Sequence, residues 1–171
     1  ITGENGTCAT LNTLRVFGYG TDDEDPRFEL NYWADEVYDR NGELVLDRTG
    51  NPLVYYPNAV KMDLSYDPYV ETAGARMKKY DIDKNATKNG ILMDNDIVLF
   101  RLADALLMRA EAKWRNGRDG SFDFNIVRDR AGASFRELTA ENLLDERLLE
   151  LCWEGWRRQD MIRFRQYKSL F

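Results

Sequence analysis

The stretch ERLLELCWEGWRRQDMIRFR, residues 146–165, sets nine charges among large apolar residues. Its acids Glu146, Glu150 and Glu154 recur at every fourth position, which on a helix is a single stripe. Two carboxylates roughly 5–9.5 Å apart across an open cleft can cleave a glycosidic bond. Glu150 and Glu154 therefore form a candidate pair for glycoside hydrolysis. Any i,i+4 pair on a helix falls near that separation, however. Arg128, Arg130, Arg157 and Arg158 offer ion-pair partners, and nothing else in the sequence marks a cleft. The simpler reading makes these acids structural. Acids toward the start and arginines toward the end also suit the helix dipole.

Other chemistry is narrowed by what the chain contains. There is no histidine, which removes Ser-His and Cys-His nucleophiles, most zinc chemistry and the usual near-neutral proton shuttle. Cys8 and Cys152 make neither a disulfide scaffold nor a zinc site, and whether they pair is open. In TDDEDPR, Asp22, Asp23 and Asp25 could offer hard oxygens to calcium. The segment lacks the glycine and terminal glutamate of an EF-hand, and a solvated acidic turn is the alternative. No catalytic residue, metal site or cofactor is assigned. A net charge of −6 argues against a general affinity for nucleic acid.

The charge is unevenly placed. Residues 1–96 carry 18 acids and 10 bases, whereas 97–171 carry 12 acids and 14 bases, twelve of them arginine. Aromatic residues are uneven as well, with eight of nine tyrosines before residue 81. Sugars present a C–H face to flat rings and hydroxyls to planar polar groups. Tyr32, Trp33, Tyr55, Tyr56, Tyr66 and Tyr69 are the candidate rings, with Asp35, Asn58, Asp63 and Asp67 as hydroxyl partners. The alternative is that these rings fill a core beneath irregular chain. Adjacent Tyr55 and Tyr56 on a strand point to opposite faces, so at most one readily meets a ligand. Trp114, Trp153 and Trp156 fall within helical patterns and read as core or helix-interface residues.

The elements that position these residues fall into two parts. Residues 1–90 read as a loop-rich segment carrying a small β-meander over 36–56, punctuated by Asn41-Gly42 and Gly50-Asn51-Pro52. No helix is expected before residue 90, and 1–20 reads as irregular. Residues 91–171 read as helical. The first helix covers 94–117, opening on Asp/Asn caps, repeating Leu99, Leu102, Leu106 and Ala110, and stopping at Asn116-Gly117. Ala103, Ala105, Ala110 and Ala112 are small enough for close packing. A short helix covers 121–132 and ends at Gly132. A third runs 138–167 with Thr139 as its cap. On it Leu144, Leu148, Leu151, Gly155 and Ile162 share a face, and Gly155 permits a close crossing or a bend. Short glycine-containing loops suggest antiparallel hairpins, without a clean 34-residue repeat.

FRLADALLMRAEAKWRNG, FNIVRDRAG and LLDERLLELCWEGWRRQDMIRF, in that order, resemble the carboxy-terminal signature of the SusD/RagB family. DPR (25–27) and MKKY (77–80) fit weaker landmarks of the family upstream. Phe164 stands where the family often has tryptophan. The resemblance implies a mainly α fold: a tetratricopeptide-like helical framework with long irregular loops and a small β-meander. It makes the motif helices framework and leaves specificity to the loops. Family members are several times longer, so the chain reads as an interior-to-late portion, without the lipid anchor and early helices. The implied job is non-catalytic capture of glycans on the extracellular face of the outer membrane, for delivery to a SusC-like TonB-dependent transporter. The rivals are a helical scaffold for protein or peptide, and a glycoside hydrolase.

Overall fold

The computed structural model describes residues 7–39, 41–59, 72–80 and 96–167. They belong to two compact units, Ile1–Arg15 with Glu29–Asp96, and Val16–Phe28 with Ile97–Phe171. Helices dominate, with small antiparallel sheets, so the mainly α expectation holds.

Two short helices appear where none was expected: α1 (Leu11–Phe17) and α2 (Phe28–Asn31). Thr10 starts α1 by accepting the Thr13 N–H on its Oγ1 at 3.2 Å. Glycines at 18 and 20 follow at once with φ of 67° and 75°. The helix is therefore too short to leave a periodic signal.

In the first unit, β1 (Tyr32–Trp33) pairs antiparallel with β4 (Arg76–Met77), Tyr32 opposite Met77 and Trp33 opposite Arg76. β2 (Asp35–Glu36) pairs antiparallel with β3 (Val54–Tyr55). Asp35, the first residue of β2, takes φ of 56°, a left-handed state that Asp tolerates better than most residues. The expected meander is present but closes on itself. Val37 donates to the Leu53 carbonyl, Leu53 to that of Val45 and Val45 to that of Val37, at 3.0, 2.8 and 2.8 Å. Each of the three residues thus spends both its backbone groups on the other two. Two matching turns make this possible. Asp39 Oδ1 accepts the N–H groups of Asn41 and Glu43, and Asp47 Oδ1 those of Thr49 and Asn51. Gly42 and Gly50 complete the turns with φ of 79° and 87°.

The second unit holds α3 (Leu102–Arg115), α4 (Ser121–Arg130), α5 (Ala140–Glu150) and α6 (Arg157–Arg163). The expected stop at Asn116-Gly117 and the end at Gly132 are both found, with Gly117 at φ 67° and Gly132 at 71°. Thr139 caps α5 by accepting the Asn142 N–H at 3.1 Å. Gly120 is buried at the corner before α4, where a Cβ would lie 2.5 Å from the Ala110 carbonyl oxygen. No helix among the described residues is long and apolar enough to cross a membrane.

Several expectations are corrected here. The first helix begins at Leu102, after an Arg101 that makes no side-chain cap. Its buried face is Ala103, Asp104, Leu107, Ala110 and Glu111, while Leu99 and Leu102 are 69% and 74% exposed. Charged residues on the inward face hid it from a hydrophobic count. The third helix is two helices, because Trp153 and Gly155 adopt φ of 65° and 81° and turn the chain between α5 and α6. A Cβ on Gly155 would meet nothing within 4 Å, so this glycine serves a turn rather than a close crossing. Leu144, Leu148 and Leu151 are buried as expected, but Ile162 is 48% exposed because α6 sets out afresh. Trp153 and Trp156 accordingly lie outside the helices.

The apolar core of this unit joins Ala103, Leu107 and Ala110 of α3 to Phe124 and Val127 of α4 and Leu143 of α5. Leu107→Ala is expected to cost about 2–5 kcal/mol of stability. Leu102→Ala, five residues away and exposed, should stay within about 0.5 kcal/mol. Urea unfolding of both variants checks the assignment, and equal costs would contradict it.

Candidate functional site

The acids that could have been catalytic sit in the second unit, and each is already committed. Arg27 is buried and is the hub. Its Nε and Nη2 donate to Asp25 at 2.8 Å each, and its Nη1 donates to Glu146 at 2.6 Å and to Glu150 at 2.9 Å. Glu146, fully buried, also accepts from Arg128. Glu150 accepts further from Arg101 and, at 2.5 Å, from Arg130. Glu154 accepts from Arg101 Nε at 2.8 Å. Arg128 and Arg130 are the partners expected from sequence. Arg27 and Arg101 were missed, and the signal was the DPR landmark together with an arginine placed just ahead of α3. Arg157 instead donates to the Leu144 carbonyl at 2.8 Å.

This arrangement is unsuited to proton donation. Burial opposes charge on Glu150, but hydrogen bonds and charge from Arg101 and Arg27 outweigh it and hold the carboxyl below its ordinary value. A general acid needs the opposite shift. Asp25 behaves alike: burial is opposed by Arg27, and the balance lies below the usual carboxylate range. Both its oxygens are spent on Arg27, so they are not offered to calcium.

The same design joins the other helices. Arg147, buried, donates to Asp104 and Asp160 at 2.8 Å each. Glu111 accepts from Arg115 at 2.7 Å and from Arg163. Asp123, buried, accepts from Arg109 at 2.6 Å and Lys113 at 2.8 Å, and the Arg109 hydrogen bond leads in bringing its pKa to about 2. A concavity of about 290 Å3 at the α5–α6 turn is lined by Leu148, Leu151, Cys152 and Trp153 with Arg147, Arg157 and Arg158. Arg147 and Arg157 are already engaged, and Arg158 lies over the Tyr167 ring. Neither Cys8 nor Cys152 forms a disulfide.

The candidate rings belong to the first unit. Tyr32 is 4% exposed and takes the inward position on β1, which makes it a core residue rather than a platform. Trp33, next along the strand, is half-buried, and Lys78 Nζ lies 4.5 Å from its ring centroid. Tyr55 is half-buried and Tyr56 is 44% exposed, in line with opposite facing. Asp35 and Asn58 are exposed. Tyr38, absent from the sequence-derived set, is 47% exposed and donates its hydroxyl to Glu36 at 2.5 Å. That hydrogen bond to the Glu36 carboxylate pushes its phenol pKa upward. Tyr66, Tyr69, Asp63 and Asp67 lie outside the described residues. What the unit presents is a half-open indole beside a cation, with tyrosines of graded exposure nearby in the chain. Such groups are suited to stacking and hydrogen bonding.

Comparison with known proteins gives a consistent result. A family model described as the SusD family matches residues 20–171. The chain is 38% identical over 96 residues to the starch-binding protein SusD of Bacteroides thetaiotaomicron, covering 55% of this chain and 17% of that protein. It is 37% identical over 118 residues to the SusD-like protein P25 of Formosa agariphila, covering 63% of this chain and 21% of that one. The chain thus matches only about a fifth of the length of these relatives.

The ion pairs carry a pH signature. Asp25, Glu111, Asp123 and Glu150 all have folded-state pKa values below their ordinary ones. Their contribution is therefore complete above the unfolded values, about pH 4–5, and is lost as pH falls through the folded ones. The thermal midpoint should be steady from about pH 7 to 5 and fall steeply between about 4 and 2. A midpoint unchanged down to about pH 2 would contradict the pairing.

Proposed function

The chain belongs to the SusD family, and we propose that it is part of a non-catalytic protein that captures glycans or their fragments at the cell surface. The observation that carries this reading is the family match across 20–171, joined to a relative named for binding starch. In this proposal the second unit is a tetratricopeptide-like framework, and its acids hold helices together. The first unit supplies the contact surface. Trp33 stacks against the C–H face of a sugar, Tyr56 extends the platform and Tyr55 flanks it, with Tyr66 and Tyr69 as further rings. Asp35 and Asn58, exposed nearby in the chain, take hydroxyls.

The support on the acidic side is equally direct. Glu150 and Glu154 are ion-paired and Glu150 is held ionised, which favours binding over hydrolysis as the reading of this chain. The whole protein, anchored by lipid on the extracellular face of the outer membrane, would pass its ligand to a SusC-like TonB-dependent transporter.

The test is a glycan-array screen of the full-length protein with Trp33→Ala and Tyr56→Ala variants, analysing the bound glycan for cleavage. Removing a central ring of a binding patch costs on the order of 2 kcal/mol, roughly thirtyfold in affinity. We expect one or both variants to weaken binding on that scale, with no product released. Binding unchanged in both variants, or released product, would sink the proposal.

A further inference from the structure

Lys78 occupies an unusual place for a surface cation. Trp33 pairs directly opposite Arg76 in the β1–β4 register. Lys78, two positions beyond Arg76, is therefore diagonal to Trp33 on the same face of that ladder. Its backbone N–H is fixed by the Asn31 carbonyl at 2.9 Å, extending the ladder by one rung. The side chain then lies over the indole, with Nζ 4.5 Å from the ring centroid. Arg76 reaches the Thr7 carbonyl at 3.4 Å, and Lys79 stands 6.0 Å over the Tyr80 ring. Of these three basic residues, Lys78 is the one placed against the indole.

The contrast with the second unit sharpens the point. There Arg27, Arg101, Arg109, Arg128 and Arg147 each sit on a carboxylate. Lys78 has no ion-pair partner among the described residues, and its charge rests on the ring face. The nearest acids in sequence to Trp33 are Asp35 and Glu36, on the β2–β3 ladder, where Glu36 takes the Tyr38 hydroxyl.

A ring face covered by an ammonium is a poor platform for a neutral sugar. Such a sugar has to displace the cation and gives nothing back for the lost cation–π contact. An anionic sugar does give something back. Its C–H face can take the ring while its charged group takes the ammonium, exchanging a weak contact for a charge-assisted hydrogen bond. The four-carbon stem of lysine lets the ammonium swing to the ring edge without moving the backbone.

We propose that Trp33 and Lys78 form a subsite for an acidic sugar residue, the indole taking its C–H face and the ammonium its anionic group. This rests on the glycan-binding reading above. It also departs from the starch-binding relative, since starch is a neutral glucan. A uronate carboxylate and a sulfate ester share the required chemistry.

The experiment uses the full-length protein on an array of neutral, uronate-bearing and sulfated oligosaccharides, with oligogalacturonate and its neutral methyl ester as a matched pair. Wild type, Lys78→Gln and Lys78→Arg are compared. The expected result is that the bound glycans are acidic, uronate or sulfated hits telling the two sources apart. Lys78→Gln should weaken them about tenfold, the scale of one charge-assisted contact, and Lys78→Arg should retain most of the binding. Neutral glycans bound as well as acidic ones, or acidic binding unchanged in Lys78→Gln, would overturn the acidic subsite and leave glycan capture standing. Absence of any glycan hit would overturn both.

Discussion

A buried guanidinium organises the helical part of this chain. Arg27 is 5% exposed and cannot stay charged there without anions around it. Asp25, Glu146 and Glu150 supply them. Once Arg27 is seated, the rest follows from the need to balance what remains. Glu146 and Glu150 bring more charge than Arg27 neutralises, so Arg128, Arg101 and Arg130 close around them. These arginines come from α4, from its end and from the approach to α3, and through them α5 fixes the positions of its neighbours. Removing Arg27 itself would take the guanidinium from Asp25 and leave excess buried negative charge on Glu146 and Glu150, a loss of about 3–5 kcal/mol in comparable cases. Apolar packing of Leu107, Phe124 and Leu143 stabilises the bundle, while the ion pairs set which face of each helix turns inward.

That arrangement explains what the sequence disclosed and what it hid. Turn chemistry was legible: Thr139, Asn116-Gly117 and Gly132 sit where their backbone preferences place them. The inward face of α3 was not, because Asp104 and Glu111 occupy it and look like solvent-facing residues until Arg147 and Arg163 are placed against them. The break after α5 was hidden for a different reason. A tryptophan at φ of 65° is an uncommon backbone state, and the mixed charged and apolar pattern on either side of Trp153 reads as one continuous helix. The cyclic closure of Val37, Val45 and Leu53 is likewise a tertiary fact, although its two turns were visible as glycines.

The candidate binding surface was only half legible. Residue type pointed to the rings, but exposure separates them: Tyr32 lies in the core, Trp33 is half-open and Tyr56 is open. Alternation along a strand predicts such a split for Tyr32 and Trp33 without saying which ring faces outward. Lys78 escaped notice because sequence gives no hint that residues so far apart share a ladder. The account therefore divides the chemistry of the chain. Glu146, Glu150, Glu154 and Asp123 of the second unit are each held by arginine, and in our proposal Trp33, Tyr56 and Lys78 of the first unit are the groups that meet a ligand.

The most direct test of that division is a crystal structure of the full-length protein soaked with an oligosaccharide selected from the array. The account predicts an intact sugar stacked on Trp33, with Glu150 still paired to Arg27 and Arg101. A sugar seated against Glu150 and Glu154, with those ion pairs opened, would contradict it.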